Sequence, residues 1–295
     1  MTELSDFLET VNRNVDETLD EIVPRAEISP RHLHEAIRWS LFAGGKRIRP
    51  AIVFAVGQTF GAAFADLSTT AAAIEMIHTY SLIHDDLPSM DDDDLRRGKA
   101  TCHKQFGEAT AILAGDVLQT LAYKAIADDE NLSTEIRIKL ISIITAAAGT
   151  PNGMVAGQQL DLDAEGRTLR IGEIEQIHRG KTGAIISASA LAGSIIGGAS
   201  EEESASIGKY ASKLGLLFQI TDDLLDVTQA TETLGKTAGK DVSLEKATYP
   251  GHFGIEQTRV MANNIRDEAC HELSSIKKDT ALLHMLADLI VSRTR

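Results

Sequence analysis

The sequence predicts an all-α protein, a single helical domain over residues 1–295, and three observations carry that expectation. Apolar residues recur at helical spacing, as in Ile207, Tyr210, Leu214, Leu217, Thr221 and Leu224, while alternating strand patterns are scarce. The six prolines are Pro24, Pro30, Pro50, Pro88, Pro151 and Pro250, so none interrupts the chain between the last two. Several segments are apolar around most of their circumference, and such helices need other helices around them. A length of 295 residues would allow two domains, yet no Ser/Gly/Pro-rich linker, low-complexity tract or internal repeat divides the chain.

Charge narrows the function classes. The chain carries 43 Asp plus Glu against 29 Lys plus Arg, a net charge of -14, and only 4% aromatic residues. Nucleic-acid binding needs a basic surface and stacking rings, so it is excluded. The two cysteines, Cys102 and Cys270, cannot build a Cys-based zinc site. The polar, acidic N-terminus lacks the basic and apolar regions of a signal peptide, which makes a cytoplasmic location the expectation. The stretch 183–199 is broken by serines and glycines, so no membrane span is expected.

In chain order, helices are expected near 70–86, 109–128, 135–150, 172–198, 203–228 and 255–292. Ahead of the first lies Gly44-Gly45-Lys46-Arg47-Ile48-Arg49-Pro50, which puts Lys46 and Arg49 on one face if it is helical. The first helix runs straight into His84-Asp85-Asp86-Leu87-Pro88-Ser89-Met90-Asp91-Asp92-Asp93-Asp94, and Arg96-Arg97-Gly98 follows. An isolated Asp run is ordinarily a solvated loop. Here His78, Leu82, Asp85 and Asp86 fall at i, i+4, i+7 and i+8, so two carboxylates and a histidine share a stripe at the mouth of a core.

A second acidic group lies on the helix over 203–228, where Gln219, Asp222, Asp223 and Asp226 fall at i, i+3, i+4 and i+7. Carboxylates on an inward stripe repel one another and need cations or protons to stay there. Oxygen-only ligands suit hard divalent ions, Mg2+ above all, which are commonly shared with phosphate oxygens. The spacing does not fit an EF-hand. Phosphate-binding cations are available in Gly180-Lys181-Thr182-Gly183 and in Lys236, Lys240 and Lys246. Each alone reads more readily as a surface charge or a partner of a nearby Asp than as a phosphate ligand. A Walker A loop is excluded, because its first glycine position is Glu175.

The block HTYSLIHDDLPSMDDDDLRRGKATCHKQFGEATAILAGDVLQ, with GGKRIRP upstream and GKTG, FQITDDLLDV and LGKTAGKD downstream, resembles the trans-prenyl diphosphate synthases, most nearly the bacterial farnesyl diphosphate synthase group. The resemblance covers roughly 30–292. It implies the isoprenoid synthase fold, a helical bundle around a central active-site cavity, in a homodimer. It implies that Asp85, Asp86 and Asp91 form one metal motif and Asp222, Asp223 and Asp226 the other, holding about three Mg2+ ions. It assigns Arg96, Lys181, Thr182, Gln219, Lys236 and Lys246 to the allylic diphosphate, dimethylallyl or geranyl. Lys46, Arg49, His78 and Arg97 would bind isopentenyl diphosphate. Thr182 and Gln219, with the Lys181 carbonyl, would face the allylic cation and form the catalytic group. Tyr80, five residues before Asp85, and Ser81 would floor the pocket for the growing chain and stop it at farnesyl length. Tyr80 reads otherwise as an ordinary core aromatic.

Three other functions compete. A geranylgeranyl or mixed short-chain synthase keeps the chemistry and changes the product. A non-catalytic metal-binding subunit would keep the fold, yet such partners lose the second Asp motif or the Arg pair, and this chain has both. A terpene cyclase would not need a second anion site such as Lys46, Arg49, His78 and Arg97. The role of the basic tail Arg293-Thr294-Arg295 stays open.

Overall fold

The computed structural model describes residues 2–167, 169–228 and 248–293. Its first helix shows how the sequence sorts its surfaces. In α1 (Thr2–Ile22), Val11, Val15 and Leu19 are fully buried four residues apart, while Arg13, Asp16 and Glu17 between them face solvent. α2 (Arg31–Leu41) follows. Then come the two helices at the centre of the bundle, α3 (Ile48–Thr59) and α4 (Phe64–Asp85). From Ile48 to Gly57 only Arg49 escapes full burial, and in α4 every residue from Thr70 to Ile77 is buried. Helices buried on all sides have no polar face, which is why their sequences read as apolar runs rather than stripes.

The chain then forms a hairpin of β1 (Leu95–Arg96) and β2 (Lys99–Ala100), with Arg96 opposite Lys99. Its two turn residues, Arg97 (φ 54°) and Gly98 (φ 76°), are both left-handed, as a tight hairpin turn requires. Glycine meets that demand without strain, whereas Arg97 does not. Next come α5 (Cys102–Phe106), α6 (Glu108–Asp128), α7 (Thr134–Ala148), α8 (Met154–Ala164) and α9 (Ile171–His178). A π turn (Arg179–Gly183) joins α9 to α10 (Ala184–Ile196), and α11 (Glu201–Thr228) is the longest helix described. α12 (Tyr249–Phe253), α13 (Ile255–Glu272) and α14 (Ala281–Val291) close the fold. Buried side chains form one continuous cluster from Val11 to Ile290.

The all-α expectation is met, with two corrections to the helix limits. The segment expected over 255–292 is two helices, separated by a 3-10 turn (Leu273–Ser275) and a polar run in which the Asp279 carboxylate accepts from the Ala281 amide at 2.9 Å. Lys277, Lys278, Asp279 and Thr280 offer no apolar stripe to continue a helix. The segment over 172–198 is interrupted by the π turn, which periodicity cannot reveal. No helix among the described residues is long and apolar enough to cross a membrane.

Candidate functional site

Both acidic motifs sit at C-terminal ends of long helices. α4 ends on Asp85 with Asp86 as its cap, and α11 carries Asp222, Asp223 and Asp226 in its last two turns. A helix C-terminus bears partial negative charge, so carboxylates there have the wrong sign unless a cation is supplied. After α4 the chain doubles back. The amides of Asp91 and Asp93 donate to the carbonyls of Asp85 (2.8 Å) and Asp86 (3.3 Å), which satisfies the helix end and sets Asp91 near Asp85. Burial, then the charges of Asp91 and Asp161, hold the Asp85 carboxyl above its ordinary range against Lys181 and Arg96. Burial likewise pushes Asp86 up to about 6, although Arg96 Nε donates to it at 3.0 Å.

Lys181 lies on the π turn, with Thr182 buried beside it. A Cβ on Gly157 would collide with the backbone at Gly180 and Lys181, so only glycine lets α8 come this close. One turn on from Gly157, Asp161 accepts a hydrogen bond from Lys181 Nζ at 2.7 Å. Burial alone would depress the ammonium. Asp161, Asp85 and Asp91 outweigh it, so Lys181 stays charged.

On α11, Asp223 accepts from the Tyr249 amide at 3.0 Å, and His178 Nε2 lies 3.8 Å from the same oxygen. The other ring nitrogen of His178 meets the Gln219 side-chain nitrogen at 3.3 Å. The buried Asp226 Oδ2 has no hydrogen-bond partner among the described residues. No group of three His, Cys, Asp or Glu side chains among the described residues is already arranged to hold a metal ion. The donors nevertheless fit one: all are carboxylate oxygens, burial holds Asp85 and Asp86 above the ordinary carboxylate range, and one buried oxygen is unsatisfied among the described residues. That chemistry suits a hard divalent cation and excludes a thiophilic metal.

A cationic group adjoins this acidic one. Lys46 and Arg49 do not share a helix face, because Arg47 adopts a left-handed conformation (φ 48°) and α3 starts only at Ile48. Arg47, which sequence reasoning passed over, pins this corner. Its guanidinium, 2% exposed, donates to Glu75 (2.7 Å), Asp16 (2.8 Å) and the Leu41 carbonyl (2.7 Å). Arg97 donates to the Gly44 carbonyl, joining the hairpin turn to the same corner. Burial and neighbouring guanidiniums lower Arg49 to about 10, and Arg97 is lowered for the same reasons. His78 is pushed well down by burial and by Arg49, Arg97 and Arg96. Arg293 stacks 3.9 Å over the Phe218 ring, donates to the Phe218 carbonyl at 2.9 Å, and lies 3.9 Å from Asp222. The Arg49 guanidinium lies over the same ring, 5.8 Å from its centroid.

A cavity of about 500 Å³ brings most of these groups together. Arg49, His78, Tyr80, Ser81, Asp85, Asp91, Arg96, Lys181, Thr182, Gln219, Asp222 and Asp223 line it, as do Asp161 and His178. Asp86 and Asp226 are buried just behind the lining. Lys46 is exposed outside it, and Arg97 lines a small neighbouring pocket with Asp86 and Arg96. Tyr80 is buried and meets His84 edge-on, with ring centres 5.8 Å apart, while the Ser81 hydroxyl donates to the His78 carbonyl. Lys236 and Lys246 lie outside the described residues. Asp161 and His178 were missed, because their partners Lys181, Gln219 and Asp223 are distant in sequence.

The polyprenyl synthetase family pattern matches residues 30–283. The chain is 44% identical to the farnesyl diphosphate synthase of Escherichia coli, covering 98% of each protein. It is 46% identical to geranylgeranyl pyrophosphate synthase 11 of Arabidopsis thaliana, over 95% of this chain and 79% of that protein. A crystal structure of a Helicobacter pylori geranyltransferase, complexed with magnesium and isoprenyl diphosphate, superposes with a TM-score of 0.84. It is 31% identical over 97% of this chain and 96% of that one.

Proposed function

The chain belongs to the polyprenyl synthetase family, and from that premise we propose that it is a Mg2+-dependent prenyltransferase. It condenses isopentenyl diphosphate with dimethylallyl and then geranyl diphosphate, head to tail (1'-4), to give (2E,6E)-farnesyl diphosphate and pyrophosphate. One observation carries this reading: a single cavity is lined by carboxylates and by cationic side chains together, with burial holding Asp85 above the ordinary carboxylate range and Arg49 below the ordinary guanidinium range. A diphosphate brought in with divalent ions answers both.

Asp85, Asp86, Asp91, Asp222, Asp223 and Asp226 would hold the ions, about three per site. When bound, Mg2+ neutralises charge on the departing pyrophosphate. Lys181, kept charged by Asp161, and Arg96 add fixed positive charge for the same allylic diphosphate, as electrostatic catalysis requires. Lys236 and Lys246 are assigned to it by position alone. Arg49, Arg97, His78 and Lys46 would hold isopentenyl diphosphate. Its double bond attacks the allylic cation left when the carbon–oxygen bond breaks. The tertiary cation then loses a proton to the released pyrophosphate. Thr182, Gln219 and the Lys181 carbonyl present oxygen to the allylic cation.

Tyr80 and Ser81, on the turn of α4 below Asp85, are the proposed floor of the hydrocarbon pocket. We further propose one cytoplasmic domain over 1–295 acting as a homodimer. Supporting the dimer, α6 and α7 expose Ile112 (45%), Leu113 (53%) and Ile138 (63%), which a second copy would cover.

The test is product chromatography after incubating the purified protein with isopentenyl and geranyl diphosphates and MgCl2. Farnesyl diphosphate is expected, and Tyr80→Ala should move product to geranylgeranyl length or beyond. Absence of condensation would overturn the reading. Activity surviving complete chelation would overturn its metal dependence, and unchanged product from Tyr80→Ala would remove Tyr80 from chain-length control.

A further inference from the structure

We infer that His178 is a positioning residue whose ring fixes which end of the Gln219 amide faces the cavity. The inference rests on the proposed role of Gln219 beside the allylic cation and adds what sets its orientation.

The geometry is a chain of three side chains from three elements. Asp223 Oδ2 lies 3.8 Å from His178 Nε2, and His178 Nδ1 lies 3.3 Å from the Gln219 amide nitrogen. The ring cannot drift from this line. Tyr249 stacks against it, ring centres 5.9 Å apart and 19° from parallel, and the Tyr249 amide holds the same Asp223 oxygen at 3.0 Å. Tyr249 is in turn tethered through its hydroxyl to Glu175, three residues before His178 on α9.

A neutral imidazole carries one hydrogen, so one nitrogen donates and the other accepts. The Gln219 amide nitrogen facing Nδ1 requires that atom to accept, which puts the hydrogen on Nε2. Nε2 makes no hydrogen bond among the described residues, and the Asp223 carboxylate 3.8 Å away favours that hydrogen by its charge alone. Of the two ends of the Gln219 amide, only the NH2 can donate to Nδ1. The amide oxygen is therefore turned away from His178, toward the cavity that both residues line. An oxygen there presents partial negative charge to a developing cation, whereas a flipped amide would present NH2 and oppose it. Without His178 both orientations of the amide become accessible.

Two measurements test this. The first is NMR of the metal-free parent protein with 15N-labelled histidine, which reads the tautomer directly and needs no activity. His178 is expected as the Nε2–H form; an Nδ1–H form overturns the inference. The second is steady-state kinetics on variants. Asn places its side-chain oxygen where Nδ1 stands, while Gln reaches only the position of Nε2. His178→Leu and His178→Gln should each lower kcat about 30-fold, with KM changed less than about threefold. His178→Asn should recover about fivefold of that loss. On a Gln219→Leu background, His178→Leu should cost almost nothing more, because there is no amide left to orient. Fully additive losses, or Gln rescuing better than Asn, would overturn the assignment. If the Leu variant fails to fold, the tautomer decides alone. A parent protein that condenses nothing defeats the proposed function instead, and the NMR result is unaffected by it.

Discussion

Asp85 and Asp86, at the end of α4, are both held above the ordinary carboxylate range by burial, whereas Arg49, Arg97 and Arg293 are all held below the ordinary guanidinium range by burial and, for the first two, by neighbouring guanidiniums. The cations on the acidic side behave oppositely. Arg96 and Lys181 are raised, because Asp86 and Asp161 face them. A fold optimised for stability alone would have paired the surplus of one group with the surplus of the other. Keeping both mismatches on the borders of one cavity leaves the metal-free protein poised for a ligand that carries cations and anions together. That also resolves the net charge of -14, which would otherwise repel a diphosphate.

The comparison breaks most easily at the acidic side. Asp85→Ala should lower kcat by about a thousandfold or more, because it removes charge needed only as pyrophosphate leaves. A loss under tenfold in steady-state assays would show that the carboxylates there are structural. At the cationic side the effect should be smaller and of another kind. Arg49→Met should raise KM for isopentenyl diphosphate about 10- to 100-fold, the worth of a charge-assisted contact, with little change for geranyl diphosphate. Equal effects on both substrates would deny that the two sides serve different diphosphates.

The smallest effect is on stability. With its folded value raised to about 6, Asp86 stabilises the metal-free fold fully below about pH 4 and loses that contribution as pH rises through 6. The metal-free protein should therefore lose about 1.4 kcal/mol from this group between pH 5 and pH 7.5. Asp86→Asn should flatten that loss in urea melts at the two pH values. Parallel pH profiles for parent and variant would show that the Arg96 contact already offsets the burial of Asp86.

Much of the site was legible because its residues are clustered in sequence. Asp85, Asp86 and Asp91 lie within one helix end and its return loop, and Gln219, Asp222 and Asp223 lie on one helical stripe, so helical geometry alone places them. Lys46 and Arg49 would share a face only in a helix, and that condition is not met. Arg47 makes this segment a corner, and its partners Asp16 and Glu75 are distant in sequence. Gly180-Lys181-Thr182-Gly183 was legible as a motif, but not as a π turn set against Gly157. The basic tail was left open, yet Arg293 closes on Phe218 and Asp222.

The sequence by itself determined the helical class, the two acidic stripes and the kind of ion and ligand they suit, since these follow from residue type and a period of 3.6. Only the tertiary structure decided which charges are balanced and which are left over. Lys181 meets Asp161 and Arg47 meets Glu75, whereas among the described residues Arg49 is in no ion pair, because pairing depends on distances between helices. Those distances are set by packing contacts such as Gly157 against the π turn, and no local pattern encodes them.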